Sequence, residues 1–354
     1  MIKRRKSRKI RIGNVEIGGD SPISVQSMCN TDTRDVKSTV AQINKLTEAG
    51  CELIRVAVLN QEAAEAISEI KKAIKIPIIA DIHFDYRLAI ESINQGIDGL
   101  RLNPGNIGKQ EHIEQVVKLA KTREIPIRIG VNSGSLEKDL SHNPEDIADS
   151  LVVSALRHVK ILEDLDFDLI KISLKSSNVP TMIEAYEKIA SLVSYPLHLG
   201  VTEAGTLKTG LIKSSIGIGT LLSKGIGDTI RVSLTDDPVE EVFAGYEILK
   251  ALNLRQRGIN LISCPTCGRC QIDLINLAKK VEEKFKNLET PITIAVMGCA
   301  VNGPGEAKAA DIGIAGGIGE GYIFKKGEII KKVPESELLS AFEEELNLYI
   351  QEKC

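Results

Sequence analysis

The stretch ELIRVAVLNQEAAEAISEIKKAIKIPIIADIHF (residues 52–84) contains one full repeat of the pattern that organises most of the chain. ELIRVAV (52–58) is a short β-branched run and predicts a strand. QEAAEAISEIKKAI (61–74) places its apolar residues at helical spacing, and IPIIADIHF (76–84) returns to strand character. The unit recurs in both directions. Strands are predicted at PISVQSM (22–28), ELIRVAV, IPIIADIHF, GLRLNPG (99–105), IPIRIGVN (125–132), LIKISLK (169–175), LHLGVTE (197–203) and TIRVSLT (229–235), eight in all. Each is followed by a helical pattern such as KSTVAQINKLTEAG. Eight strand–helix units in succession imply the α/β class and a (β/α)8 TIM-type barrel rather than an open doubly wound sheet. No GxGxxG follows the first strand, which speaks against a dinucleotide fold. Ahead of the barrel, IRIGNVEIGG reads as a hairpin around Gly13-Asn14, a plug across the barrel floor.

The predicted domains are a barrel over 1–252, a linker over 253–260 and a smaller α+β domain over 261–354. A chain of 354 residues can support a large core and a second one. Its hydrophobic fraction of 43% and charged fraction of 26% are those of a soluble globular protein. A net charge of -3 argues against nucleic acid or an anionic membrane as partner. No run of about 18 apolar residues is present to span a bilayer. The basic start MIKRRKSRK lacks the apolar stretch of a signal peptide and reads as a solvated terminus. Seven cysteines, an odd and clustered set, read as reduced thiols in a cytoplasm.

Strand parity carries the functional signal, because residues two apart share a face. In LIKISLK, Ile170, Ile172 and Leu174 alternate with Lys171, Ser173 and Lys175. In TIRVSLT, Ile230, Val232 and Leu234 alternate with Arg231, Ser233 and Thr235. Asp81 and His83, Arg101 and Asn103, and Arg128 and Asn132 form similar polar sets. With the apolar sets under the helices, the polar sets face the barrel interior. Arg55, Arg101, Arg128, Lys175 and Arg231 then converge, with few acids to balance them. Buried like charges of that number require an anion, and arginine suits a diphosphate. Some of the cations can pair with Asp81 or Glu203 as structural ion pairs. Glu203, in LGVTEAG, is the carboxylate expected among the cations, as an acid, a base or a charge-balancing partner. Two glycine-rich turns, NPGNIG (103–108) and SIGIGTLLSKGIGDT (215–229), are suited to donate backbone N–H groups to phosphate.

The last quarter changes character. SCPTCGRC (263–270) opens a predicted helix, QIDLINLAKKVEEKFKNL. PITIAVMGCAVNGPGEAKAADIGIAGG follows as strand, thiol, turn and strand, then a hairpin around Lys326-Gly327 and a closing helix. Cys264, Cys267 and Cys299 offer three soft ligands; the distal partner is single, unlike the paired CxxC units of zinc ribbons. Iron–sulfur ligation tolerates this dispersed spacing, with the fourth ligand at Cys270 or near Cys299. Cys29, Cys51 and Cys354 read as incidental thiols.

The segments SCPTCGR, MGCAVNGPGEAKAADIGIAGG, ADIHFD, RLNPGNIG, KISLKSS, LGVTEAG and DTIRVSLT together resemble the 4-hydroxy-3-methylbut-2-en-1-yl diphosphate synthase family of the methylerythritol phosphate route to isoprenoids. The resemblance runs over nearly the whole chain, in the short bacterial form, and GCxVNGPGE is its most specific motif. It implies a 4Fe–4S cluster held by Cys264, Cys267, Cys299 and Glu306, with Cys270 a departure from the family pattern. It implies reductive ring opening of 2-C-methyl-D-erythritol 2,4-cyclodiphosphate. Arg55, Arg101, Arg128, Asn132, Lys175, Arg231 and Ser233 would bind the diphosphate, and Glu203 would act near the reacting carbons; Glu306 serves both cluster and turnover. Ferredoxin or flavodoxin would be the electron donor. A linker of eight residues reaches roughly 26 Å at most. A homodimer in which one cluster domain caps the partner's barrel is therefore expected, as the resemblance implies. The competing readings are an iron–sulfur electron carrier, or a phosphate-binding barrel enzyme with a structural zinc domain.

Overall fold

The structure is a computed structural model and describes residues 2–140, 143, 145–299, 305 and 307–353. The chain divides into two compact units, Met1–Arg255 and Gln256–Cys354. The division falls inside the segment 253–260 read as a linker.

The first unit opens with the hairpin β1 (Ile10–Ile12) and β2 (Val15–Ile17). Eight parallel strands follow: β3 (Ser24–Met28), β4 (Leu53–Ala57), β5 (Ile78–Asp81), β6 (Gly99–Arg101), β7 (Ile127–Asn132), β8 (Ile170–Lys175), β9 (His198–Leu199) and β10 (Thr229–Ile230). They pair in the order β8-β7-β6-β5-β4-β3-β10-β9, and a single bridge between Ile172 and Leu197 closes the ring. All eight predicted strands are present, but the last two are only two residues long. There the chains crowd: a Cβ on Gly200 would lie 2.7 Å from the Arg231 carbonyl oxygen. Beyond that point the ladder ends, and Arg231 and Ser233 leave the sheet. Helices lie outside the ring, and their apolar faces pack on the outward residues Ile54, Leu100, Ile129, Ile172 and Ile230. Burying both faces of each strand is what makes these segments so rich in Ile and Val.

The floor is sealed as expected. Ile10, Ile12 and Ile17 of the hairpin form a separate apolar cluster with Leu53 and Ile79, inward residues near the start of their strands. Gly13 turns the hairpin at φ +55°, and a Cβ there would meet the Pro77 ring at 2.9 Å, so glycine meets both demands.

The basic start is not the solvated terminus that its composition suggests. Arg4 donates to the Ser21 carbonyl (2.5 Å) and pairs with Asp228 (3.2 Å). Arg5 donates to the carbonyls of Val193 (2.6 Å) and Tyr195 (2.5 Å) and lies 3.8 Å from Asp228. Asp228 also accepts from the Ser7 hydroxyl (2.7 Å) and the Leu197 N–H (2.8 Å). The segment straps the floor because Asp228, buried just before β10, needs partners for both oxygens.

The second unit holds a five-stranded sheet in the order β11 (Ile259–Ser263), β12 (Ile292–Met297), β13 (Ile312–Gly317), β14 (Glu320–Lys325) and β15 (Glu328–Pro334). The first three strands are parallel and the last three antiparallel. β11 was not predicted, and it takes up Ile259 and Asn260 from the segment read as linker; Ile259 pairs with Ile292. Lys326 and Gly327 form the expected hairpin turn, both left-handed (φ 50° and 86°), as a type I′ turn requires. The predicted first helix begins later than expected, at Leu274, where the Asp273 carboxylate caps the Asn276 N–H. The helices Leu274–Phe285 and Leu338–Lys353 pack on a core of Ile294, Val296, Ile312, Ile314 and Ile323. Among the described residues, no helix is long and apolar enough to cross a membrane.

Replacing Asp228 with Ala strands the Leu197 N–H and removes the buried carboxylate that pairs with Arg4 and Arg5 at the floor. Denaturant unfolding of the full chain is expected to show a loss of about 3–5 kcal/mol, with the barrel's transition moving ahead of the second unit's.

Candidate active site

The inward parity read from the strands is realised. Arg55, Arg101, Arg128, Lys171 and Lys175 are buried, and Arg231 is nearly so. Against these six cations stand, among the described residues, three buried carboxylates: Asp81, Glu241 and, at the floor, Asp228, which is already held by Arg4, Ser7 and the Leu197 N–H. Asp81 lies 3.6 Å from Arg55 and 3.3 Å from Arg101, and 3.8 Å from the His83 ring, which is otherwise exposed. Burial by itself would raise the Asp81 carboxyl, but Arg55, Arg101 and Arg128 outweigh it and hold it below the ordinary carboxylate range. Glu241, on the helix Pro238–Ala251, takes Arg231 in a fork at 3.2–3.3 Å. The same carboxylate accepts the Ser27 hydroxyl (3.2 Å) and the Leu234 N–H (3.0 Å).

The cations outnumber these carboxylates by three. Burial pushes Arg55 down to about 10 despite Asp81, and as an arginine it still carries its charge at neutral pH. Arg128 is pushed down further, by burial and then by Arg55 and Arg101, and its Nε and Nη1 have no hydrogen-bond acceptor among the described residues. Lys175 is lowered well below an ordinary lysine by burial and by Arg55, Arg231 and Arg128. Two guanidiniums settle for a thioether: Met28 Sδ accepts from Arg55 Nη2 (2.7 Å) and Nε (3.1 Å) and lies 3.8 Å from Arg231 Nη1. A neutral sulfur is a weak acceptor. The interior is thus a set of preoriented donors short of negative charge, suited to a polyanion.

The backbone is shaped around these groups. Asn103 clamps Gly130, accepting its N–H (2.8 Å) and donating to its carbonyl (3.0 Å), which also accepts from Arg101 (3.0 Å). A Cβ on Gly130 would stand 2.7 Å from Arg101 Nε. Glycine there lets the guanidinium lie across β7.

Other sequence expectations fare differently. Asn132 ends β7 half-buried, and Ser233 is half-buried beyond β10. Glu203 is not among the cations. It sits exposed on the loop after β9, in a left-handed conformation (φ 52°), and forms no ion pair among the described residues. Several N–H groups of the glycine-rich turns are already committed. In the first, the N–H of Gly105 goes to His158 Nδ1 (3.1 Å), and those of Asn106 and Ile107 go to the carbonyls of Asn103 and Pro104. Most of the second lies inside the helix Leu207–Ser223, where a Cβ on Gly217 would meet Met182 at 2.8 Å. Its remainder runs to the start of β10, at the floor. Gly217 and Gly227 serve packing, the second against Leu199 and Leu222.

Parity alone could have added Lys171 to the anion list, since it lies four residues before Lys175. Glu241 and Met28 carry no such signal, because only the closed ring brings them to Arg231.

In the second unit, Cys264 and Cys299 follow the neighbouring parallel strands β11 and β12. The Gly298 N–H donates to Cys264 Sγ (3.2 Å). The segment after Cys264 folds back over Gly298: the Gln271 N–H donates to its carbonyl (2.9 Å), and a Cβ on Gly298 would lie 2.8 Å from Cys270 Sγ. Cys267 is exposed, while Cys264, Cys270 and Cys299 are intermediate. Cys270 lies in a turn closed by its N–H to the Cys267 carbonyl (3.0 Å), and its thiol donates to the Ile272 carbonyl (3.3 Å). Glu306 and Cys354 fall outside the described residues. Among those described, no three His, Cys, Asp or Glu side chains stand close enough to hold a metal ion. The donor chemistry nevertheless suits an iron–sulfur centre: thiols at adjoining strand ends, one already accepting a backbone N–H. Cys29 and Cys51 are buried in the barrel unit, and burial pushes each thiol up to about 12; neither has the character of a ligand.

Fold and site together define a (β/α)8 barrel with a cation-rich interior, followed by a smaller thiol-bearing α+β domain. The chain belongs to the GcpE family: residues 7–246 match its TIM-barrel domain and residues 260–348 its C-terminal domain. A relative from Dehalococcoides mccartyi is 62% identical over 347 residues, 98% of this chain and 99% of the relative. One from Geobacter sulfurreducens is 59% identical over 349 residues, with the same coverage. Both are named 4-hydroxy-3-methylbut-2-en-1-yl diphosphate synthase (flavodoxin). Among solved structures, the dihydropteroate synthase of Stenotrophomonas maltophilia aligns with a TM-score of 0.53 at 14% identity, over 70% of this chain and 98% of its own. That of Yersinia pestis aligns at 0.52 and 11% identity, over 70% of this chain and 99% of its own. At such identity the likeness shows the barrel fold alone.

Asp81→Asn leaves Arg55 and Arg101 without their carboxylate and is expected to destabilise the barrel by about 3–5 kcal/mol at neutral pH. Because the native carboxyl is depressed, that stabilisation is complete above the unfolded value and fades as pH falls below about 4. Urea melts of both proteins at neutral and acid pH check this; a gap unchanged by acid would contradict it.

Proposed function

We propose that this chain catalyses the reductive ring opening of 2-C-methyl-D-erythritol 2,4-cyclodiphosphate to 4-hydroxy-3-methylbut-2-enyl diphosphate, a step of isoprenoid biosynthesis, in the cytoplasm. The reading rests on the shared name of near full-length relatives and, in the structure, on one observation: a barrel interior with more cations than its carboxylates can balance. The reaction takes an electron pair and a proton, releases the leaving hydroxyl as water, and turns a cyclic dianion into a linear trianion. Arg55, Arg101, Arg128, Lys175 and Arg231 hold the diphosphate, with Asn132 and Ser233 as polar contacts at the rim. Their donors are already oriented by Asp81, Glu241 and Gly130, so little reorganisation accompanies charge development. Glu203, on its exposed loop, would act near the reacting carbons as an acid or base or as a stabiliser of a charged intermediate.

Cys264, Cys267 and Cys299, with Glu306, would hold a 4Fe–4S cluster, which supplies electrons singly when bound. A carboxylate among thiolates is the harder and more exchangeable ligand. Flavodoxin, printed in the relatives' names, is the fitting donor, and ferredoxin is a chemical equivalent. The active form is a homodimer in which one cluster domain caps the partner's barrel.

The anaerobically reconstituted protein is expected to absorb broadly near about 400 nm and to consume the cyclic diphosphate with reduced flavodoxin. A colourless zinc protein, or a coloured one inert toward that substrate, would sink the proposal. Cys264→Ser should lose iron, whereas Cys270→Ser should keep it, because its thiol is already bonded to the Ile272 carbonyl. Dilution to monomer should abolish turnover with both units still folded; an active monomer contradicts the dimer.

A further inference from the structure

Lys171 sits on the inward face of β8, beneath Lys175 and 1% exposed. Its Nζ has no hydrogen-bond partner among the described residues. Arg128 stands directly across from it in the β7–β8 register, with Nε and Nη1 equally bare. Arg55 of β4 and Lys175 of its own strand add positive charge. His198 of β9 is fully buried; its Nδ1 shares a hydrogen bond with Thr229 Oγ1 (2.5 Å), and its Nε2 is bare. Among the described residues, the one acid that bears on Lys171 is Asp228, whose oxygens are already held by Arg4, Ser7 and the Leu197 N–H.

An ammonium in that position is desolvated, faces a guanidinium and has nothing to donate to. Arginine cannot shed its proton in a protein, whereas buried lysine does so readily. Burial first, then Arg128 and Arg55, lower Lys171 well below an ordinary lysine. The imbalance is relieved only when negative charge enters the barrel.

We propose that Lys171 is a neutral amine in the free barrel and takes up a proton from solvent when a dianion settles among Arg55, Arg101, Arg128 and Arg231. This rests on the reading of the interior as a diphosphate site. It makes Lys171 a positioning residue, which acts by adjusting the charge that the ligand meets. The free barrel is spared one buried like charge, and the bound anion gains one counter-charge. Ring opening then adds a negative charge to the diphosphate, which a protonated Lys171 balances.

The test is calorimetric titration of the reconstituted full-length protein in Hepes and in Tris, whose differing ionisation heats report proton uptake. Sulfate serves as a dianion that does not itself titrate near neutral pH, and the cyclic diphosphate is titrated in parallel. Wild type should take up protons with each anion, and its affinity should fall by up to about tenfold per pH unit above the amine's titration. Lys171→Met should take up less and show a shallower pH dependence, with unchanged near-ultraviolet circular dichroism. Lys171→Gln replaces it if the first variant does not fold. Equal uptake in variant and wild type, or none in wild type, overturns the proposal. Uptake with sulfate but no binding of the cyclic diphosphate upholds the coupling and overturns the substrate reading instead.

Discussion

A buried guanidinium needs an acceptor, and this barrel places more cations inside than it has carboxylates to meet them. The rest of the interior follows from that shortage. Asp81 is shared between Arg55 and Arg101, with no oxygen left for Arg128. Glu241 is spent on Arg231 and two further donors. Met28, a neutral thioether, stands in where an anion would bind better. Filled with apolar side chains, such a barrel would be more stable; cations left unpaired in a low dielectric are a cost that only a ligand removes. Rigid strands make the arrangement tolerable, because the cations cannot move apart and a fitting anion finds them aligned.

Arginine and lysine divide the work. The four arginines carry fixed charge and planar forks suited to phosphate oxygens. The two lysines sit where burial and neighbouring guanidiniums disfavour charge. An interior of arginine alone would carry its full repulsion whether or not a ligand was present. One that includes lysine can vary its charge with occupancy.

Both units follow one rule of parallel sheets: chemistry gathers at the carboxyl ends of strands. In the barrel unit Asp81, Arg101, Asn132 and Lys175 lie at or near those ends, while the hairpin and the Arg4–Arg5 strap close the opposite end. In the second unit Cys264 and Cys299 follow the ends of two adjoining strands. Each unit has its own apolar core, so a barrel interior given over to charge does not weaken the thiol-bearing sheet.

Periodicity alone determined the eight-fold strand–helix repeat, the hairpin plug and the inward direction of the cations, because which face a side chain takes is set locally by a period of two. The thiols were equally legible, because CxxC at Cys264 and Cys267 and the motif around Cys299 are each short local stretches. What only the tertiary structure decided was partnership. Glu241 reaches Arg231 from a following helix, Asp228 draws a basic terminus onto the floor, and Glu203 stands apart from the cations it was expected to join. The glycine turns, which looked like phosphate cradles, have several N–H groups committed to His158, to carbonyls of their own turn or to a helix. Such pairings depend on ring closure, which sets distances between residues far apart in sequence, and no local pattern encodes those distances.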